Sequence, residues 1–319
     1  MNNTLFQDHA FGITTIDTGF MRPGFDASHL LVENNHAVYL DVGTTHSVPR
    51  LLEALQAKNI PVENVDYVIV THVHLDHAGG AGKLMLALPN AQLVVHPRGA
   101  RHKIDPTRLI AGAIAVYGEK TFKKDYGEVV PVAKERIVIA EDEHVIDFQG
   151  RPLLFLDTPG HARHHFCIFD ERSKSFFTGD MFGISYRELD TPKDSFIFAT
   201  SAPVQFEPLP MHDSINRLLS YQPEKMYLTH YGEVSNVAKL ADKLHDSVDK
   251  QVLLTESFAN SGDARHQLLF NAIMDYLLEE IRQLNCPLSE EACRKILAPD
   301  VELNTQGLEF WWDKSLSEK

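Results

Sequence analysis

The chain has 319 residues and carries 44 acidic side chains against 30 Lys and Arg, a formal net charge of −14. That balance excludes the basic footprint of a general nucleic-acid binder, while a hydrophobic share of 44% is enough for a well-buried core. The length suits one large domain or one domain with a smaller appendage, and no run approaches the ~20 apolar residues of a membrane span.

Three cysteines, Cys167, Cys286 and Cys293, show no CxxC spacing. They offer neither a disulfide framework nor a thiolate zinc site and read as ordinary thiols. This usage fits a reducing cytoplasm. Met1 to Ala10 has no basic segment followed by an apolar stretch, so no signal peptide is expected.

In chain order, Gly12 to Asp17, Ser28 to Glu33 and His36 to Asp41 read as short strands, with a hairpin turn at Asn34-Asn35. Asp41-Val-Gly-Thr-Thr turns into a helix from Val48 to Asn59 that shows Leu51, Leu52 and Leu55 on one face. Pro61 ends it. Val65 to Val70 is a buried strand, Gly80 to Leu88 a helix and Gln92 to His96 a strand. Arg98 to Lys124 reads as a helical insertion with seven Lys/Arg against two acids, Asp105 and Glu119. It is either a solvated helical face or a basic rim that attracts an anionic substrate. Strands return at Arg136 to Ala140, His144 to Phe148, Leu153 to Asp157, His165 to Asp170 and Ser175 to Thr178. Met181 to Pro210 is irregular and aromatic, the kind of long loop that is often functional. Ser214 to Ser220 is helical, and Met226 to Thr229 is a strand ending in His230. From Val234 on, Val234 to Leu254, His266 to Leu284 and Ser289 to Leu297 have helical periodicity, and the apolar tail Leu308 to Trp312 is expected to dock. The expected division is a catalytic domain over 1–233, with the helical insertion at 98–127, and a C-terminal helical region over 234–319.

The chemistry concentrates in Thr71-His72-Val73-His74-Leu75-Asp76-His77, followed by Ala78-Gly79-Gly80. Three imidazoles and a carboxylate at the end of a buried strand suit zinc, iron or manganese. His72 and His74 can converge on one ion, while the adjacent Asp76 and His77 point differently and can serve a second. Gly79 and Gly80 are expected to let the backbone turn tightly. Further donors stand at other strand ends: His161 in Asp157-Thr-Pro-Gly-His161, Asp180 in Phe177-Thr-Gly-Asp180 and His230 in Tyr227-Leu-Thr-His230. His164 and His165 follow the His161 motif, where one of them would orient a ligand. His9, His29, His36, His46, His96, His102, His144, His212, His245 and His266 read as ordinary surface or core histidines.

The set Thr-His72-x-His74-x-Asp76-His77, Pro-Gly-His161, Thr-Gly-Asp180 and Thr-His230 resembles the metallo-β-lactamase superfamily over about Gly12 to Gly232. The resemblance implies an α/β fold, a four-layer αββα sandwich of two mixed sheets. It implies one metal site from His72, His74 and His161, a second from Asp76, His77 and His230, and Asp180 as a bridge. A bridging Asp is similar to the glyoxalase II, lactonase and related esterase branches. It is not the pattern of the true β-lactamases. The flavodiiron branch would show Glu at the His74 position and a flavodoxin domain.

The implied activity is that of a dinuclear metal-dependent hydrolase. A metal-bridging hydroxide would act on an ester, lactone, thioester or phosphodiester of a small anionic substrate. Asp76 would hold the hydroxide and take a proton. Tyr186, six residues after Asp180, reads either as a packing residue or as a hydrogen-bond donor to a substrate carbonyl. Two divalent ions are expected, zinc first, with iron or manganese as the other choices. An iron-dependent protein that handles oxygen or persulfides is the alternative on the same ligands. A regulatory protein that keeps the site without turnover is the third reading. A small-molecule substrate is the expected partner, with no nucleic acid and no membrane, and the C-terminal helices would cover the site or pair two subunits as a homodimer.

Overall fold

The computed structural model describes residues 5–202 and 204–317. Residues 1–4 of the segment read as lacking a leader lie outside that range, as does Pro203 within the aromatic stretch. The chain divides into two compact units. The first comprises Met1–Asp157, His164–Gly179 and Pro223–Ser235; the second comprises Thr158–Arg163, Asp180–Gln222 and Asn236–Lys319.

The first unit contains two mixed sheets. One is built from β1 (Phe6–Asp8), β2 (Ile13–Asp17), β3 (Ala27–Glu33), β4 (His36–Leu40), β5 (Val65–Ile69), β6 (Gln92–Val95) and β7 (Ile137–Ile139), in that spatial order. Its strands are antiparallel up to β4 and parallel from β4 to β7. The other runs β13-β12-β11-β10-β9-β8, from β8 (Val145–Phe148), β9 (Arg151–Asp157), β10 (Phe166–Asp170), β11 (Ser175–Gly179), β12 (Lys225–Leu228) and β13 (Gly232–Val234). Here β11 and β12 are the parallel pair. At the β3–β4 hairpin, Asn34 and Asn35 both have positive φ, 48° and 63°, the backbone that tight hairpin turns require and Asn tolerates.

Strand periodicity accounts for the layers. Along β4, Ala37 and Tyr39 join one apolar cluster while Val38 and Leu40 join another, because successive side chains point to opposite faces. The first cluster packs Leu51 and Leu55 of α1 (Val48–Ala57) and Leu84 and Met85 on one face of the first sheet. The second joins Leu31, Ile69 and Val94 of the first sheet to Phe148, Phe155, Phe166 and Phe177 of the other. The sheets therefore share one core. The remaining helices of this unit are α2 (Leu75–Ala78), α3 (Ala81–Ala87), α4 (Ala100–Ile104), α5 (Thr107–Tyr117) and α6 (Glu119–Asp125). The last three fill the segment read as an insertion.

The second unit is helical, with α7 (Pro208–Ser220), α8 (Val237–Phe258), α9 (Arg265–Gln283) and α10 (Glu290–Ser317). Two of these exceed the sequence reading. α7 starts six residues before Ser214, because Pro208 and Pro210 occupy its first turn, where N–H groups have no intrahelical acceptor. α10 continues through Pro299 to Ser317 instead of stopping at Leu297. Burial of Leu297, Val301 and Leu308 outweighs the lost bond, and the Asn304 amide accepts from Ser201 N (2.9 Å) and donates to Ala199 O (3.1 Å). The apolar tail is thus the end of a helix, and Trp311 meets Phe206 edge-on at 6.1 Å. The fold is of the α/β class, two mixed sheets with C-terminal helices. No helix among the described residues is long and apolar enough to cross a membrane.

Candidate metal centre

The chain positions its donors by ending strands together. β4 and β5 are parallel neighbours, so Asp41, just past β4, faces the segment that follows β5. Asp41 is 1% exposed, and its carboxylate accepts four donors. These are Thr71 N (2.8 Å), Thr71 Oγ1 (2.9 Å to Oδ2), His77 Nδ1 (2.8 Å) and, from the end of β12, Thr229 Oγ1 (2.7 Å). A buried carboxylate costs several kcal/mol unless it is satisfied; here the compensating bonds tie together three strand ends.

This network sets the imidazole tautomers. Asp41 takes the Nδ1 proton of His77, so Nε2 carries the lone pair. His230 donates Nδ1–H to Phe25 O (2.8 Å), leaving its Nε2 in the same state. The two Nε2 atoms lie 3.8 and 3.5 Å from Asp76 Oδ2. Asp76, His77 and His230 thus offer three ligand atoms within 4.8 Å of one another. His77 and His230 are buried, whereas the Asp76 side chain is 26% exposed. Two imidazole nitrogens, each oriented by a bond at the other ring nitrogen, and one carboxylate oxygen form a donor set that fits a divalent transition metal.

His72 and His74 meet beside this group, Nε2 to Nδ1 at 2.8 Å, with His72 Nδ1 at 3.1 Å from Thr71 Oγ1. His165 stacks on His72 at 4.9 Å between ring centroids, and His164 stacks at 6.1 Å while meeting His74 edge-on at 5.5 Å. His164 and His165, one of which was read as orienting a ligand, therefore both lie against the His72–His74 rings. In the second unit, His161 follows β9 and Asp180 follows β11, and His161 Nε2 lies 3.3 Å from Asp180 Oδ2. Tyr186 is fully buried in the same unit, and its hydroxyl donates to Asp300 Oδ2 at 3.0 Å.

Glycines are needed here for space and not always for conformation. Gly79 and Gly80 have φ of −59° and −77°, so the expected tight turn is ordinary helical backbone. A Cβ on Gly80 would come within 2.5 Å of Thr44 O. Gly179 does need the left-handed region, at φ +50°, and a Cβ there would meet Thr71 Oγ1 at 2.4 Å and His165 Nε2 at 2.7 Å.

Sequence reasoning missed Asp41 as more than a strand end, and it missed Asp26. Burial pushes the Asp26 carboxyl up to about 7, while His230 and His77 pull it back. Thr18 donates to its Oδ2 at 2.5 Å. The available signal for Asp41 was its place: an acid closing an apolar strand, like every other donor. The basic insertion is also partly spoken for. Lys103 is buried and donates to Ala78 O at 2.6 Å, capping the short helix that carries Asp76 and His77. Burial pushes its ammonium down to about 8. Lys123 pairs with Glu119 at 2.7 Å.

A two-sheet α/β scaffold with His and Asp donors gathered at its strand ends defines a candidate metalloprotein. The family model described as the metallo-beta-lactamase superfamily matches residues 21–230, and the chain belongs to that superfamily. It is similar to the acyl-coenzyme A thioesterase MBLAC2 of Homo sapiens, 26% identical over 53% of this chain and 63% of that protein. It is also similar to a hydroxyacylglutathione hydrolase of Francisella tularensis subsp. novicida, 23% identical over 78% of this chain and 88% of that one. In structure it resembles an archaeal metallo-beta-lactamase superfamily protein from Sulfolobus tokodaii. The TM-score is 0.65 at 20% identity, over 94% of this chain and 99% of the other.

Proposed function

We propose that the chain is a metal-dependent hydrolase of ester-like bonds, thioesters first among them, acting on a small anionic substrate with two divalent ions. His72, His74 and His161 would hold one ion, Asp76, His77 and His230 the other, and Asp180 would be shared. The observation that carries this reading is the Asp76–His77–His230 group, with both imidazoles turned by Asp41 and Phe25 so that Nε2 faces the carboxylate. Support for a thioester comes from the relatives named as an acyl-coenzyme A thioesterase and a hydroxyacylglutathione hydrolase.

Bound ions would supply Lewis acidity toward the carbonyl oxygen and lower the pKa of water. The protein's own groups do the rest. Asp41 keeps the Nδ1 proton of His77, and Phe25 O keeps that of His230. Asp76, whose side chain is 26% exposed, would take the proton released when water attacks. The Phe25 ring meets His230 edge-on at 5.2 Å and shields that side from solvent. Arg22, 5.4 Å from the centre of that ring, would supply positive charge for an anionic substrate.

The test is elemental analysis of protein purified without added metal, followed by turnover on thioester, ester, lactone and phosphodiester panels. About two zinc ions per chain and a thioesterase activity are expected, and Asp180→Ala loses metal and activity together. Full turnover by Asp180→Ala overturns the ligand assignment. Mostly iron, with an optical spectrum that responds to oxygen, overturns the hydrolytic reading.

A further inference from the structure

A second imidazole cluster lies within the helical unit, between α7 and α8. His212 on α7 and His245 on α8 bring their Nδ1 atoms to 2.6 Å, with rings nearly parallel at 17° and 4.9 Å between centroids. Asp249, one turn further along α8, accepts from His212 Nε2 at 3.1 Å. From the geometry we infer that His212 and His245 form a binding site for one further divalent transition-metal ion, of the class that prefers imidazole.

The argument starts from protons. The Asp249 carboxylate takes the Nε2–H of His212, so a neutral His212 turns its Nδ1 lone pair toward His245. Two imidazole nitrogens that close need something positive between them, either a shared proton or a metal ion. The same pattern recurs at the candidate metal centre, where His72 and His74 bring nitrogens to 2.8 Å. There, too, Asp41 fixes one nitrogen of His77 and leaves the other to coordinate. A carboxylate–imidazole–metal relay raises ligand basicity and sets ring orientation, and Asp249–His212 repeats it with the ring nitrogens exchanged. In this reading Asp249 supports a ligand and is not one itself. Water completes the coordination, as the partial exposure of His212 allows: its side chain is 20% exposed. Burial and the neighbouring His212 lower the His245 pKa, which keeps that ring neutral and able to ligate, while Asp242, Asp249 and Asp246 oppose them more weakly.

The site has a structural consequence. α7 seats the loop that carries His161: Ser214 Oγ donates to Pro159 O at 2.6 Å and Glu207 N to Gly160 O at 2.8 Å. An ion held between His212 and His245 pins α7 to α8 and stiffens that support.

The experiment is zinc binding to chelator-stripped full-length protein by equilibrium dialysis, with wild type, His212→Ala and His245→Ala compared. Wild type is expected to bind one more ion per chain than either variant, and zinc at the concentration filling that last site raises the unfolding temperature of wild type alone. Asp249→Asn, at an exposed position, weakens the same ion about 10- to 100-fold and covers the case where a His variant fails to fold. Copper(II) added at one equivalent to wild type already carrying two zinc ions gives an electron paramagnetic resonance spectrum with two nitrogen ligands that His245→Ala lacks. Equal stoichiometry in all four proteins overturns the inference and leaves a proton-sharing pair. Loss of the two tight ions from the proposed centre, with the His212-dependent ion retained, would count against the hydrolase reading alone.

Discussion

Asp41 Oδ2 accepts the Nδ1 proton of His77 at 2.8 Å, and both side chains are closed to solvent. One carboxylate thereby sets which nitrogen of His77 is available, while its other bonds hold the ends of β5 and β12 in place. Asp41→Asn keeps the shape and removes the charge that makes the imidazole a better donor. The expected outcome is a fold that forms with metal affinity lowered about 10- to 100-fold, read by titrating stripped protein in zinc buffers. Wild-type affinity in this variant would remove Asp41 from the site's architecture.

Gly179→Ala probes the same network from the other side. A methyl at that position needs φ near +50° and lies 2.4 Å from Thr71 Oγ1, the hydroxyl that donates to Asp41. Strain and displacement together are expected to cost about 1–3 kcal/mol, seen as a lower urea midpoint with an unchanged slope. A midpoint equal to wild type would show that the strand end can shift freely.

Much of this was legible because the donors sit at strand ends in one dimension as they do in three. The apolar run before His72, and the short strands before His161, Asp180 and His230, each announce themselves by composition. Asp41 was hidden because a single acid after a strand looks like a turn, and its importance depends on β4 and β12 both adjoining the His motif. Lys103 was read with its charged neighbours as part of a surface, whereas its four-carbon stem is buried to reach a helix carbonyl. Helix ends failed at prolines: Pro299 breaks a propensity rule that burial of Val301 and Leu308 overrides. The three-residue strands β1 and β13 offered too little pattern to see.

Tyr186 was read as either a packing residue or a donor to substrate, and its hydroxyl donates to Asp300 at 3.0 Å. Tyr186→Phe distinguishes the two roles. A phenol committed to Asp300 gives lower stability, by about 1–3 kcal/mol, with KM and kcat close to wild type. Stability unchanged with a raised KM would return the hydroxyl to the substrate.

His29 should govern part of the acid response. Its ring is buried against Phe177 and Tyr227, with Nε2 donating to Leu228 O at 3.1 Å. Burial pushes its pKa down to about 4, against ~6.5 in an unfolded chain. Between those values the unfolded chain takes up a proton that the folded chain refuses. Unfolding therefore binds protons there, and stability falls as pH drops from 6.5 toward 4, by up to about 3 kcal/mol in all. Above pH 6.5 neither state is charged at this position and the effect vanishes. His29→Gln can still donate to Leu228 O and cannot titrate, so its urea midpoint should fall less than that of wild type between pH 7 and pH 5. An identical fall in both proteins would place the acid sensitivity on other groups, His9 being the next buried imidazole whose pKa is lowered.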